Sequence, residues 1–263
     1  MLVERYDYEF ALAELAHTGG LPPDVRDQRA SARYSSCSLG IENGPVLVCF
    51  AEGIKSGVTS QIGTKLAVDA ILRETQQLFH GSTHPLEAAD YVKTGFREAN
   101  RELYRYGTKM LSGGKIAVHG VVACFDGEKL SIGRTGEYES YLFRDGKIAQ
   151  FFGKEISFVQ PAGVATFERV LGASKQVLVD IASLKVEVGD KILVTTVGFS
   201  EHLLGILGEA LEVEDGGEDL VFDLLTPCTQ SAIVRSEENE ELLERNVLLA
   251  LFEIEPPLFD PDA

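Results

Sequence analysis

The stretch GEYESYLFRDGKIAQ, residues 136–150, decides the fold class. Ser140 to Phe143 and Ile148 to Phe152 are β-like runs on either side of Asp145-Gly146. Asp-Gly suits a two-residue hairpin because both central positions accept positive φ. Just upstream, Val121 to Phe125 and Leu130 to Ile132 flank a second such dipeptide, Asp126-Gly127. From Lys115 onward the pattern predicts an antiparallel meander of at least four strands. Further along, Lys185 to Thr196 forms another β run, interrupted by Gly189-Asp190, and Val247–Ile254 reads as a last apolar strand.

Helical signals lie on both sides of this β region. Residues 6–17 predict a short helix ended by Gly19-Gly20, with Pro22-Pro23 barring its continuation. A β run from Pro45 to Ala51 leads through a turn at Gly53–Gly57 into a long helix. There Ile62, Leu66 and Ala70 recur at intervals of four, flanked by Val68, Ile71 and Leu72. Ala89, Val92, Phe96, Ala99 and Leu103 then step 3-4-3-4, one apolar stripe facing a core. Two more helices are predicted, from Ser200 to Leu211 and near Asp219–Leu225. The sum is an α+β chain with a largely antiparallel sheet, and nothing suggests a second domain.

Composition narrows the function. The chain has 263 residues, 24 Lys+Arg against 41 Asp+Glu, and a net charge of −17. A chain of that length can bury a substantial core. This balance argues against nucleic acid, whose binding rests on clustered cations neutralising phosphates, and against anionic membranes. No apolar run approaches the ~18 residues of a membrane span, and MLVERYDYEF lacks the basic start and apolar stretch of a secretory signal. Cys37, Cys49, Cys124 and Cys228 show no C-x-x-C spacing and read as reduced thiols. The expected location is cytoplasmic.

Familiar catalytic signatures are missing. The chain carries no G-x-S-x-G, no Walker loop and no G-x-G-x-x-G. His80 and His84 are four apart, but Gly81 and Pro85 place the pair in a loop rather than on one helix face, a poor preorganised metal site. The acidic stretches Glu209–Asp219 and Glu237–Glu244 read as solvated faces and turns.

One constellation remains. FAEGIKSG (50–57), GEYESYLFRDGKIAQ (136–150), EVGDKILVTTVGFSEHL (187–203) and ERNVLLALFE (244–253), in that order and spacing, resemble the metal-dependent Ser/Thr protein phosphatases, the protein phosphatase 2C or PPM-type family. The family pattern has D-G-M-G-G after a strand, G-D-S-R-A-Y-L before an R-D-G hairpin, S-D-G after an apolar strand, and D-N before the last strand. The match runs from Arg33 to Ile254. It implies a phosphatase-2C-like four-layer sandwich, two stacked mainly antiparallel β-sheets flanked by helices. It divides the chain into an N-terminal extension (1–28), the phosphatase-like domain (29–255) and a C-terminal tail (256–263).

The resemblance also implies a reaction on two Mg²⁺ or Mn²⁺ ions, which need hard oxygen ligands. At the aligned positions this chain departs from the pattern. Arg33 matches the family's phosphate-contacting Arg, but the acidic pair that follows it is Cys37 and Ser38. Glu52 replaces the bridging Asp, and Gly53, whose carbonyl is a family ligand, is retained. The Asp of S-D-G is Val197; the Asp of D-N is Arg245, beside a retained Asn246. The G-D-S-R segment has become Gly136-Glu137-Tyr138-Glu139. At the ligand positions, loss of the acidic pair and the exchanges to Val197 and Arg245 make the site more positive by about five units, which a dication centre does not tolerate without compensating charge. Val197 then reads as a core residue of a dry, collapsed site, and Arg245 is placed to pair with Glu52.

The implied protein is a catalytically inactive pseudophosphatase without metal, a regulatory or scaffold module in phosphorylation-dependent signalling. Its expected partner is a protein, such as a phosphoprotein or kinase-pathway component. A variant keeps phosphate recognition through Arg33, Lys55 and Arg245. The alternative is a divergent active phosphatase with Mg or Mn held by Glu52, the Gly53 carbonyl and a relocated carboxylate such as Glu137 or Glu201. A third reading is a structural subunit engaging partners through residues 1–28 or 256–263.

Overall fold

The structure, a computed structural model, describes residues 7–15, 35–39, 45–53, 58–84, 86–110, 116–136, 138–152, 169–195, 199, 201–212 and 247–255. Ten strands and three helices are distributed over these residues. The strands are β1 (Asp7–Leu15), β2 (Ser35–Leu39), β3 (Val46–Gly53), β4 (Val118–Phe125), β5 (Lys129–Thr135), β6 (Glu139–Arg144), β7 (Lys147–Gln150), β8 (Asp180–Lys185), β9 (Lys191–Thr195) and β10 (Val247–Glu255). The helices are α1 (Val58–Gly81), α2 (Ala88–Met110) and α3 (Glu201–Leu211).

Two five-stranded sheets result, with orders β1-β10-β9-β6-β7 and β2-β3-β4-β5-β8, every pairing antiparallel. Period-two alternation sorts the side chains of the second sheet. Val46, Val48 and Phe50 of β3, with Val121, Ala123 and Phe125 of β4, pack against Ile192, Val194 and Ile254 of the first sheet. The alternate residues Leu47, Cys49, Ala51, Val122 and Cys124 pack against α1 and α2 through Ala67, Ile71, Val92, Phe96 and Leu103. On the far side, Lys191 of β9 donates through Nζ to the Leu211 carbonyl at the end of α3, 2.9 Å away. The layers run helices, sheet, sheet, helix, as the resemblance implies. Among the described residues, no helix is long and apolar enough to cross a membrane.

Three local expectations require correction. Within the expected helix, Asp7–Leu15 is instead strand β1, paired along its whole length with β10. DYEFALAEL supports both periods, since Tyr8, Phe10 and Leu12 also alternate, and a nine-residue partner strand overrides the local helical tendency. The meander is also split. β4 and β5 pair in the second sheet, whereas β6 and β7 pair in the first. The chain changes sheets after Gly136, which holds φ 90°, a backbone conformation open mainly to glycine. Finally, the face α1 buries is less apolar than expected. It includes Ser60, Gly63, Thr64, Ala67 and Thr75, because small side chains let the helix approach its neighbours closely. A Cβ on Gly63 would stand 2.5 Å from Ile116 Cγ2.

Other local expectations hold at the second hairpin and the second helix, with adjustments at Asp126-Gly127 and His80. Asp145 (φ 51°) and Gly146 (φ 68°) form the two-residue turn of the β6–β7 hairpin. At the other Asp-Gly, three residues connect β4 to β5, and the Asp126 carboxylate accepts from the backbone N–H of Glu128, Lys129 and Ala88 at 2.8–3.0 Å. Asp126 thereby ties the hairpin to the first turn of α2. Val92, Phe96, Ala99 and Leu103 are fully buried, as their spacing requires. His80 lies in the last turn of α1 and His84 beyond its end. The helix expected near Asp219–Leu225 lies outside the described residues.

Candidate functional site

The site is built at the end of β3, where the strand's alternation brings a carboxylate to the face between the sheets. Val46, Val48 and Phe50 point inward, and Glu52 continues that row with only 4% of its surface exposed. Its register partner on β4 is His119, which is half-buried, and on β2 it is Ser35. His119 packs edge-on against Tyr138, ring centroids 6.5 Å apart. Gly136 lies under the same imidazole: a Cβ there would stand 2.1 Å from His119 Nδ1. Glu52, His119 and Tyr138 therefore gather at one end of the inter-sheet layer, drawn from β3, β4 and the link between the sheets.

Gly53 faces the opposite way, toward α1. A Cβ at this position would meet Ser60 Oγ at 1.5 Å and Ser60 Cβ at 2.6 Å, so the first turn of α1 requires glycine here. The Glu52-Gly53 pair thus divides its work: the acid looks between the sheets and the glycine admits the helix.

The expected site residues distribute as follows. Cys37 and Ser38 lie on β2 at the register positions of Phe50 and Cys49, further along the strand than Glu52. Arg33, Lys55, Val197, Arg245 and Asn246 lie outside the described residues, and so does the expected Arg245–Glu52 pairing. Among the described residues no three His, Cys, Asp or Glu come together in a way that could hold a metal ion. A dinuclear Mg²⁺ or Mn²⁺ centre needs several carboxylate oxygens around the bridging acid. The register neighbours of Glu52 are a serine and a histidine. These register neighbours add no second carboxylate beside Glu52, and no step of a metal-assisted hydrolysis is derived.

Two polar arrangements escaped the sequence reading. In the first, Arg134 of β5 turns its guanidinium between the sheets, 4.3 Å over the Phe152 ring, and donates to the Tyr138 carbonyl. Its Nε lies 3.7 Å from Asp180, which also receives Arg169 at 2.6 Å. Burial draws the Arg134 guanidinium below its ordinary pKa, while Asp180 and Glu139 oppose that shift. Asp180 and Glu139 together set two carboxylates against the guanidinium groups of Arg134 and Arg169. No spacing pattern announces this cluster, because Arg134, Arg169 and Asp180 are far apart in the chain or on different elements.

The second links the motifs that carry the resemblance. Arg144, from YLFRDG, makes a bidentate pair with Asp190, from EVGDKIL, with both contacts at 2.6 Å. Asp190 is 1% exposed and also accepts from the Glu187 N–H at 2.8 Å. The hydrogen bond to Asp190 raises the Arg144 pKa above its ordinary value. Glu139, at the Arg position of G-D-S-R, accepts from the Tyr141 hydroxyl, which in turn accepts from the Phe199 N–H at 3.2 Å.

No family model matches the chain, and no curated protein matches it in sequence. Solved structures do match over nearly the whole length. The catalytic domain of the serine/threonine protein phosphatase PstP, in complex with two manganese ions, is 17% identical with a TM-score of 0.65, the similarity covering 94% of this chain and 98% of that one. PppA, a key regulatory component of T6SS in Pseudomonas aeruginosa, is 17% identical with a TM-score of 0.64, covering 96% and 100%. The S. agalactiae serine/threonine phosphatase is 16% identical with a TM-score of 0.62, covering 95% and 100%. These likenesses establish a phosphatase-2C-like fold, two antiparallel sheets with helices.

Proposed function

We propose that this chain is a non-catalytic member of the phosphatase-2C-like fold, a regulatory or scaffold module that binds a protein partner in phosphorylation-dependent signalling. One observation carries the reading: the buried acid at the bridging position, Glu52, has Ser35 and His119 as its register neighbours and no carboxylate cluster around it among the described residues. Sequence supports it from the other positions, where Cys37, Ser38, Val197 and Arg245 stand in place of carboxylates. A guanidinium at position 245 opposes a dication at the same place. The solved neighbours include both a manganese-loaded phosphatase and a regulatory component, so the fold is compatible with either role.

A second reading has its own support. Glu52 is buried and Gly53 retained, leaving one acid and one carbonyl for a single Mg²⁺ or Mn²⁺, completed by Glu137 or Glu201. The two readings separate in one experiment on the full chain: Mn²⁺ titration by calorimetry with turnover of a generic aryl phosphate. The non-catalytic reading expects no heat in the millimolar range and no turnover above buffer. Turnover abolished by chelator and by Glu52→Ala would replace it with the reduced metal site. Retained phosphate recognition through Arg33, Lys55 and Arg245 requires phosphopeptides to bind more tightly than their unphosphorylated forms. Equal binding removes that variant.

A further inference from the structure

On the helical side of the second sheet, away from Glu52, α2 and the chain leading into β8 enclose an open groove of about 530 Å³. Its floor is apolar: Val177, Val179 and Ile181 pack onto the core cluster beneath α2, and Leu178 stays 47% exposed beside them. Its rim is cationic, with Lys93 and Arg97 one helical turn apart on α2 and Lys175 opposite. Among the described residues, no carboxylate lines it. The groove is preformed, because the buried Asn100 side chain pins its far wall. That amide donates to the Ser174 and Lys175 carbonyls at 3.2 Å and accepts from the Gly172 N–H at 2.8 Å.

The nearest acids leave the rim positive. Asp90 is 3.9 Å from Lys93, and both side chains are about half exposed or more, a contact worth little in water. Glu98 is shared between Arg97, at 3.3 Å, and Arg101. Arg97 itself is 72% exposed. A chain of net charge −17 thus carries a local surplus of cations around an apolar floor. At physiological salt, charges beyond about 8 Å are largely screened, so a short segment lying in the groove feels the rim rather than the distant acids. An extended polyanion would meet the whole negative surface.

We infer that this groove docks an acidic protein segment of a partner, its carboxylates on Lys93, Arg97 and Lys175 and a bulky apolar side chain on the floor. Lys93, Arg97 and Asn100 are spaced i, i+4 and i+7, which spreads the α2 wall over roughly 10 Å, enough for several residues of peptide. The inference does not depend on whether the chain hydrolyses phosphate, since no groove residue belongs to the Glu52 site.

The test is selection of a random-peptide display library on the full chain, followed by fluorescence anisotropy of the enriched peptides. Sequences rich in Asp and Glu around Leu, Ile or Phe are expected. Their affinity should fall at least about tenfold with Lys93→Glu/Arg97→Glu and drop measurably with the milder Lys93→Gln/Arg97→Gln. Lys65→Glu/Lys109→Glu, an equal charge change at exposed helix positions outside the groove, should leave it within about twofold. Enrichment of neutral or basic peptides, no enrichment, or equal losses in the rim and control variants would overturn the inference. Self-association of the chain abolished by the rim variants would overturn it in favour of a second copy as occupant.

Discussion

Gly53→Ala tests whether that glycine is held by packing or by a ligand role of its carbonyl. The added methyl would lie 1.5 Å from Ser60 Oγ, 2.6 Å from Ser60 Cβ and 3.1 Å from Ser60 Cα. Relaxed carbon contacts sit near 3.5–4.0 Å, so the first turn of α1 must withdraw by roughly 1–2 Å from a strand that is completely buried. Overpacking of this kind costs typically about 1–3 kcal/mol, and a clash with two side-chain atoms belongs at the upper end, about 3 kcal/mol. For a chain of this size that lowers Tm by about 6–12 °C. Ser60→Gly removes both offending side-chain atoms and leaves only Cα. Gly53→Ala should then cost about 1 kcal/mol or less in that background, a coupling of about 2 kcal/mol, well above the scatter of independent sites. The cost of Ser60→Gly alone cancels in the cycle. The assay is urea unfolding of the four variants followed by circular dichroism. A loss under about 1 kcal/mol for Gly53→Ala, or the same loss in both backgrounds, refutes the packing explanation.

Two further predictions follow the same route to solution. Asp190→Asn keeps an acceptor for the Glu187 N–H but strips the charge from the bidentate pair; because Arg144 is 28% exposed, the expected cost is about 2 kcal/mol rather than the full penalty of a buried pair, read as a lower urea midpoint at unchanged slope. Cys124 is fully buried and burial pushes its thiol pKa upward, so iodoacetamide should label Cys49 and Cys124 only in urea, as mapped by mass spectrometry. The unfolded thiol ionises from about pH 8.5 while the folded one keeps its proton, so this contribution is intact below that pH and declines above it by up to about 1.4 kcal/mol per unit. Cys124→Ala should flatten that decline between pH 8 and 10; an unchanged slope removes the assignment.

Legibility in the sequence followed the range of the forces involved. Asp145-Gly146 was readable because a two-residue turn is decided by its own two residues. The α2 stripe was readable because four apolar side chains repeat on one face. β1 was not: DYEFALAEL satisfies two periods, and β10, over 230 residues away, selects between them. The buried face of α1 was blurred because Ser60, Gly63 and Thr64 are chosen for size rather than hydropathy. In the site, Glu52 was legible from its turn, whereas the Arg134–Asp180–Arg169 cluster joins three chain segments and leaves no local mark. His119, one of five unremarkable histidines in the sequence, becomes significant only through the β3–β4 register.

The features that preserve the resemblance are those with a mechanical use. Arg144 and Asp190 join YLFRDG to EVGDKIL and fasten the β6–β7 hairpin to the turn entering β9. Gly53 admits α1, and Gly136 allows the chain to change sheets beneath His119. None of these uses requires a cation. Carboxylates grouped around a metal have no such second use: without the ion, their mutual repulsion destabilises the sheets that carry them. On the proposed non-catalytic reading, Ser, Cys and Val at those positions relieve that repulsion, while exchanging Gly53 or Asp190 would damage the packing. Retention of the motifs is accordingly evidence about shape alone, and the functional reading has to rest on the residues around Glu52 and on surfaces such as the Lys93–Arg97 groove, where the sandwich itself imposes nothing.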